Sequence, residues 1–303
     1  MSPATSVATA THAGPPAEPV LTLRGISKTF GSVNALTSID LDVGAGEVIA
    51  IVGDNGAGKS TLVKVLAGVH RPDSGEIMIG SRPVEITDPA AAISLGIATV
   101  FQDLALCENL NVVENLFLGR ELGPARLDEV AMEVRAWELL RQLSARIPTV
   151  RIPVASLSGG QRQTVAIARS LLGEPRLIIL DEPTAALGVA QTAEVLDLIE
   201  RLRERGLAVV MISHNMEDVR AVADRVVVLR LGRNNGAFDV ATVSAQDIVA
   251  AITGATDNAV TRRTVRRATH ADQSTAHPEG VTRVTEHPEG VTRVTEHQEG
   301  GTP

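Results

Sequence analysis

Aromatic residues are nearly missing from this chain: there is no tyrosine, one tryptophan and four phenylalanines, 2% of the sequence in all. Without them the stacking platforms that hold single-stranded nucleic acid cannot be built. Excess positive charge is missing too. The formal net charge is −8, whereas proteins that coat nucleic acid need clustered cations to displace counterions from phosphates. Cysteine is reduced to Cys107 alone, which excludes an intrachain disulfide and a Cys-rich zinc site and suits a reducing compartment. As a free thiol it reads as a small, half-buried side chain. Long apolar runs are also lacking. Leu177–Leu180 and Ala208–Ile212 are strand-sized, far short of the roughly 20 residues that cross a bilayer, so these segments cannot form a membrane pore. Residues 1–19 hold no Lys or Arg and no apolar segment; they read as a disordered leader rather than a secretory signal. A cytoplasmic nucleotide or small-molecule role is what remains.

What the chain does have is ample core material, with 44% hydrophobic residues among 303. From Val20 to about Gly254, β-rich runs alternate with helical patterns, the signature of an α/β domain with a mostly parallel sheet. Strands are expected at Leu21–Ile26, Val48–Val52, Ile97–Phe101, Leu177–Leu180, Ala208–Ser213 and Arg225–Leu229. Helices fit at Ser60–Ala67, Pro89–Leu95, Ser158–Leu172, Ala190–Arg205 and Met216–Ala223. Between about Glu108 and Val154 the alternation breaks, and Val130, Val134, Trp137 and Leu140 recur at helical spacing, which marks a helical insertion. After Gly254 the composition turns polar and basic, and "HPEGVTRVTE" occurs at 277–286 and again at 287–296. A repeat this poor in apolar residues cannot offset its ordering entropy, so 255–303 is expected to be a disordered tail. His277, His287 and His297 recur in it, but dispersed histidines in such a tail fix no coordination geometry.

The sharpest motif is "GDNGAGKS", Gly53–Ser60, set between an apolar strand and an amphipathic helix. It matches the phosphate loop G-x-x-x-x-G-K-[ST] in its required context. The backbone of Gly53, Asp54, Asn55, Gly56, Ala57 and Gly58, running into Thr61, would turn N–H groups around the phosphates, with Lys59 on the β and γ phosphates and the Ser60 hydroxyl on Mg²⁺. A magnesium-nucleotide site needs a strand-end carboxylate. "LIILDEPT" supplies Asp181 for the metal and Glu182 to orient or deprotonate the attacking water. Gln102 and His214 also follow strands, at the edge where open α/β sheets bind ligands. A second glycine pair, in "LSGGQ" at 157–161, opens a helix as an anion site would, although one phosphate loop is already present.

Taken in order, "GDNGAGKS", Gln102, "LSGGQ", "LIILDEP" and "SHNMEDV" resemble the ATP-binding subunit of ABC transporters, over about residues 20–254. The resemblance implies a P-loop NTPase of ABC type: a mostly parallel central sheet, an antiparallel β part, and a helical subdomain at about 104–172. It implies ATP and Mg²⁺ as ligands, with Ser60, Gln102 and Asp181 around the metal. Glu182 would be the catalytic base, His214 the switch residue, and Gln102 the sensor facing a membrane permease. Phe30 falls where the family stacks an aromatic on adenine. Ser158, Gly159, Gly160 and Gln161 would meet the γ-phosphate held by a second copy, or a paralogue, in a head-to-tail sandwich dimer.

"GIATVFQDLALCENLNVVENLFLGRE" and "EPTAALGV" look like the branch that imports simple sugars of the ribose, xylose or fructose type. That would place the protein on the cytoplasmic face of the membrane, served indirectly by an extracytoplasmic sugar-binding protein. The alternative within the family is a non-transport ATPase of translation or DNA repair. One departure stands out: where the family has Ser-Ala-Leu-Asp after "EPT", this chain has Ala185, Ala186, Leu187 and Gly188.

Overall fold

A computed structural model describes residues 19–123 and 127–255; apart from Pro19 and Ala255, the leader and the repeat tail expected from the sequence, with their three histidines, lie outside the described residues. The strongest local signals become the centre of the molecule. β3 (Val48–Val52), β6 (Ile97–Val100), β7 (Leu177–Asp181), β8 (Ala208–Ile212) and β9 (Arg225–Arg230) lie parallel in the order β9-β3-β8-β7-β6, and β10 (Arg233–Asp239) joins β9 antiparallel at one edge. Each central strand is a near-continuous apolar run because both of its faces are covered. Val48, Ala50 and Val52 of β3 point into one core and Ile49 and Ile51 into the other, and Ile178 and Leu180 of β7 are split from Leu177 and Ile179 in the same way.

The second of these cores is closed by α1 (Lys59–Leu66) and by an antiparallel sheet of order β2-β1-β4-β5. Its strands are β1 (Leu21–Phe30), β2 (Val33–Val43), β4 (Ser74–Ile79) and β5 (Arg82–Val84). At the end of the parallel sheet away from the phosphate loop, Arg225 ties the two sheets together through Glu47 (Nε to Oε1, 2.5 Å) and the Asp42 carbonyl (2.6 Å). The first core is covered by α3 (Val112–Phe117), α4 (Glu129–Gln142), α5 (Gly159–Leu171), α6 (Val189–Glu204), α7 (Met216–Val222) and α8 (Ala245–Thr253), while α2 (Pro89–Ser94) precedes β6.

α4 forms where its periodicity places it, but Val130 and Val134 are 71% and 54% exposed. The face that packs is Met132, Ala136, Leu139 and Leu140, continued by Leu143. Periodicity reveals that a helix has an apolar stripe; which of two neighbouring stripes is covered depends on α3 and α5, and that is tertiary information. β2, β4, β5, β10 and α8 are additions to the elements read from the sequence.

Candidate functional site

Parallel order brings the carboxyl ends of β3, β8, β7 and β6 to one edge, and the motif residues follow those ends directly. The phosphate loop leaves β3 through Gly53, whose φ of +151° no side chain would tolerate here, since a Cβ would sit 2.2 Å from the Leu229 carbonyl oxygen. The loop closes at Gly58 (φ +104°), where a Cβ would meet the Ala35 carbonyl at 2.7 Å. Both glycines are required by backbone crowding as well as by the turn. Gly58 also opens α1 with no side-chain cap, so the first-turn amides of Lys59, Ser60 and Thr61 are left for an anion. Lys59 Nζ donates to the carbonyls of Gly53 (2.6 Å) and Asp54 (3.0 Å), which holds its ammonium over the loop.

Across the cleft, Asp181 is the last residue of β7 and is half-buried. Burial, and then the neighbouring charge of Glu182, push its carboxyl above the usual range, against the pull of Lys59 and Lys64. A carboxylate that is partly desolvated beside a second carboxylate fits a divalent cation, which would offset both the burial and the repulsion. Glu182 lies in the left-handed region (φ +52°), and its amide donates to the Ile212 carbonyl at 3.0 Å. For a residue with a Cβ that is a strained conformation, retained because the flanking strands impose it. Its Oε2 lies 2.8 Å from His214 Nδ1, with Glu182 15% and His214 74% exposed. Gln102 is exposed after β6 and lines the same cleft as Asn55–Thr61, Asp181 and Glu182. The segment beyond it is pinned by the buried Asn115, whose amide bonds both the N–H (2.8 Å) and the carbonyl (2.9 Å) of Cys107. Cys107 is half-buried, as the sequence leads one to expect.

Two groups of expected residues lie outside the lining of that cleft. Phe30 is 42% exposed, with its ring edge against His70 at a centroid distance of 5.0 Å. The hairpin wall of the cleft is instead Val33, Asn34 and Ala35 of β2, which the sequence reading did not single out. The only hint was the Gly31-Ser32 turn that pairs Phe30 with Val33. Ser158–Gln161 opens α5 with a reciprocal cap: Ser158 Oγ accepts from the Gln161 amide (3.2 Å) and Gln161 Oε1 accepts from the Ser158 amide (3.0 Å). Gln161 Nε2 also donates to the Arg146 carbonyl at 2.7 Å. Gly159 and Gly160 have a packing reason to be glycine, since a Cβ would stand 2.8 Å from Leu187 Cδ2 and 3.1 Å from Gln191 Cβ. Gly188 caps α6 with ordinary φ −76° and no side-chain bond.

The arrangement can bind a nucleotide triphosphate, hold a metal ion and activate water. A model of the ABC transporter family matches residues 36–185. The fructose import ATP-binding protein FrcA of Rhizobium meliloti is 44% identical over 247 residues, 78% of this chain and 95% of that protein. The xylose/arabinose import ATP-binding protein XylG of Sulfolobus acidocaldarius is 43% identical, covering 71% of this chain and 86% of its own length. A ribose import ATP-binding protein of Rubrobacter xylanophilus is 46% identical over 71% of this chain, which spans 43% of that longer protein. Among solved structures, cbiO1 of Clostridium perfringens, part of the ABC transporter complex cbiONQ, superposes with a TM-score of 0.67 at 27% identity, over 84% of this chain and 99% of that one. A dimeric ATP-binding cassette in a post-hydrolysis state with ADP and Pi superposes with a TM-score of 0.62 at 28% identity, over 73% and 98%.

Proposed function

The chain belongs to the ABC transporter family, and we propose that it is the ATP-binding and ATP-hydrolysing subunit that powers import of a simple sugar. ATP hydrolysis is the family's activity, and the observation that carries it here is the meeting, on neighbouring strand ends, of the phosphate loop, Asp181 and the Glu182–His214 contact. On this reading Lys59 exchanges its two backbone carbonyls for the β and γ phosphates. Ser60, Asp181 and Gln102 would hold Mg²⁺, which would supply charge neutralisation on the phosphate oxygens. Glu182 accepts a proton from the attacking water as the new P–O bond forms at the γ-phosphorus, and the bond to the β–γ bridging oxygen breaks to release ADP. His214 holds the Glu182 carboxylate in place. The protein contributes positioning and charge stabilisation to an in-line transfer.

The reciprocal cap on α5 consumes the Ser158 and Gln161 amides. It leaves the Gly159 and Gly160 amides and the Ser158 hydroxyl proton to reach a phosphate. That phosphate belongs to a second copy, or a paralogue, in a head-to-tail dimer, because Ser158–Gln161 do not line the cleft that Lys59 lines. Phe30, paired with Val33 at the tip of the hairpin that walls the cleft, would stack on the adenine by turning its ring away from the edge contact with His70. Beside Gln102, a groove between β6 and α5 presents Phe101, Leu104, Leu118 and Arg120, where a permease segment would dock on the cytoplasmic face of the membrane. Among the described residues no helix is long and apolar enough to cross the membrane, so translocation falls to that permease, supplied by an extracytoplasmic sugar-binding protein. The non-transport alternative is not favoured, since the relatives are import subunits.

The test is reconstitution with a sugar permease in vesicles. ATP-dependent uptake of a labelled monosaccharide, lost on removing this chain, is the expected result. Failure of the chain to associate with any sugar permease, with ATPase activity indifferent to membranes, would overturn the transport assignment.

A further inference from the structure

Two polar side chains that no step above uses are buried beneath the Glu182–His214 contact. Thr184, two residues after Glu182, is 9% exposed, and Asp218, four residues after His214, is 4% exposed. Thr184 Oγ1 donates to Asp218 Oδ2 at 2.6 Å, and Asn215 Nδ2 donates to Asp218 Oδ1 at 3.0 Å. One carboxylate therefore joins the segment that leaves β7 to the segment that leaves β8.

Local capping accounts for only one of the two oxygens: Oδ1 takes the side-chain amide of the cap residue Asn215, and Oδ2 goes to Thr184. Asp218 is the third residue of α7, whose cap is Asn215, the position from which a longer Glu or Gln side chain reaches back to the amide of the cap residue. Here that amide is taken by Ser213 Oγ at 3.0 Å, and the carboxylate turns to Thr184 instead. His214, being 74% exposed, has little packing of its own to hold it. Its distance from Glu182 is set by where the two segments sit; the backbone ties them at the strand ends, through the Glu182 amide and the Ile212 carbonyl, and Thr184–Asp218 is a buried side-chain tie beyond those ends.

We propose that Thr184 and Asp218 are positioning residues that hold the His214 imidazole against the Glu182 carboxylate. The inference rests on the reading of Glu182 and His214 as the hydrolytic pair. Thr184 does not touch the nucleotide site, so its loss acts on turnover and leaves ATP affinity alone; a displacement of about 1 Å in such a pair costs up to about 100-fold in rate.

The test is steady-state ATPase, with ATP affinity from a fluorescent nucleotide, on the full chain. Thr184→Val, which keeps the shape and removes the hydroxyl, is expected to lower kcat about 10- to 100-fold with unchanged ATP affinity. Thr184→Ser, which restores the donor, should recover most of that loss. In a His214→Ala background Thr184→Val should cost nothing further, because its effect passes through His214. Parental kcat in Thr184→Val, equal loss in Thr184→Ser, or losses that multiply in the double variant would each overturn the proposal. Should Thr184→Val melt below the assay temperature, Asp218→Asn is judged by the same kcat, affinity and His214→Ala criteria. Parental turnover in Glu182→Gln would instead refute the underlying assignment of the pair, so the two failures are distinguishable.

Discussion

Replacing Glu182 by glutamine isolates the chemical role of one side chain. The carboxamide has the shape of the carboxylate and can still meet His214 Nδ1 at the 2.8 Å seen for Oε2, so the strained turn at φ +52° is imposed on it by the same flanking strands. What is lost is basicity. General-base catalysis is worth about 10²- to 10⁴-fold, or about 2.7–5.4 kcal/mol at 1.36 kcal/mol per decade. Binding should move the other way. The Glu182 charge is one of the causes that raise the Asp181 carboxyl; with that charge gone, Asp181 ionises more readily and its hold on Mg-ATP is kept or tightened. The assay pairs phosphate release at saturating Mg-ATP with binding of a fluorescent ATP analogue. Turnover within about threefold of the parent would refute the base assignment. Loss of nucleotide binding would refute the separation of base from phosphate loop.

Two further substitutions test local physics. Gly188→Asp supplies the side-chain cap that α6 lacks, at a φ any residue adopts and with no atom within 4 Å of the new Cβ. It should stabilise the protein by about 0.2–0.5 kcal/mol and raise Tm by about 0.5–2 °C; a lower Tm would contradict the capping argument. Asp181→Asn should raise the Tm of the nucleotide-free protein at neutral pH while abolishing Mg-dependent turnover. The carboxyl is raised above 3.8 in the fold, so between 3.8 and its folded value the native state binds more protons than the unfolded state, and stability falls as pH rises. The advantage of the Asp181→Asn variant over the parent should therefore vanish near and below pH 3.8, and an equal Tm difference at both pH values would refute it.

The parallel sheet was legible because strands buried on both faces are written as unbroken apolar runs, and the phosphate loop because strand, glycines and helix occur in one required order. β10 was not. Its hairpin turns on Leu231 and Gly232, both at positive φ (48° and 73°), where a leucine gives no turn signal. β2 was obscured by irregularities in its pairing with β1, between Leu23 and Thr29, that break strict alternation. α8 could have been read: Ser244 caps it through the Asp247 amide at 3.1 Å, and Gly254 ends it at φ +70°. Asp181, Glu182, His214 and Gln102 could be placed on one sheet edge because strand ends are visible in sequence. Thr184 and Asp218 were missed because their partnership spans 34 residues and depends on β7 and β8 being neighbours.

If Ser158 serves a nucleotide held by another copy, two inactive variants should restore activity to each other when mixed. Ser158→Arg spoils the α5 entrance and leaves its own phosphate loop intact; Lys59→Ala does the reverse. Each alone should be inactive as a homodimer. Mixed in equal amounts, random pairing makes half the dimers mixed, each with one intact site of two, so ATPase activity should return to about a quarter of the parental rate. A mixture as inactive as its components would contradict the shared site, and full activity of Ser158→Arg by itself would remove that residue from the chemistry altogether.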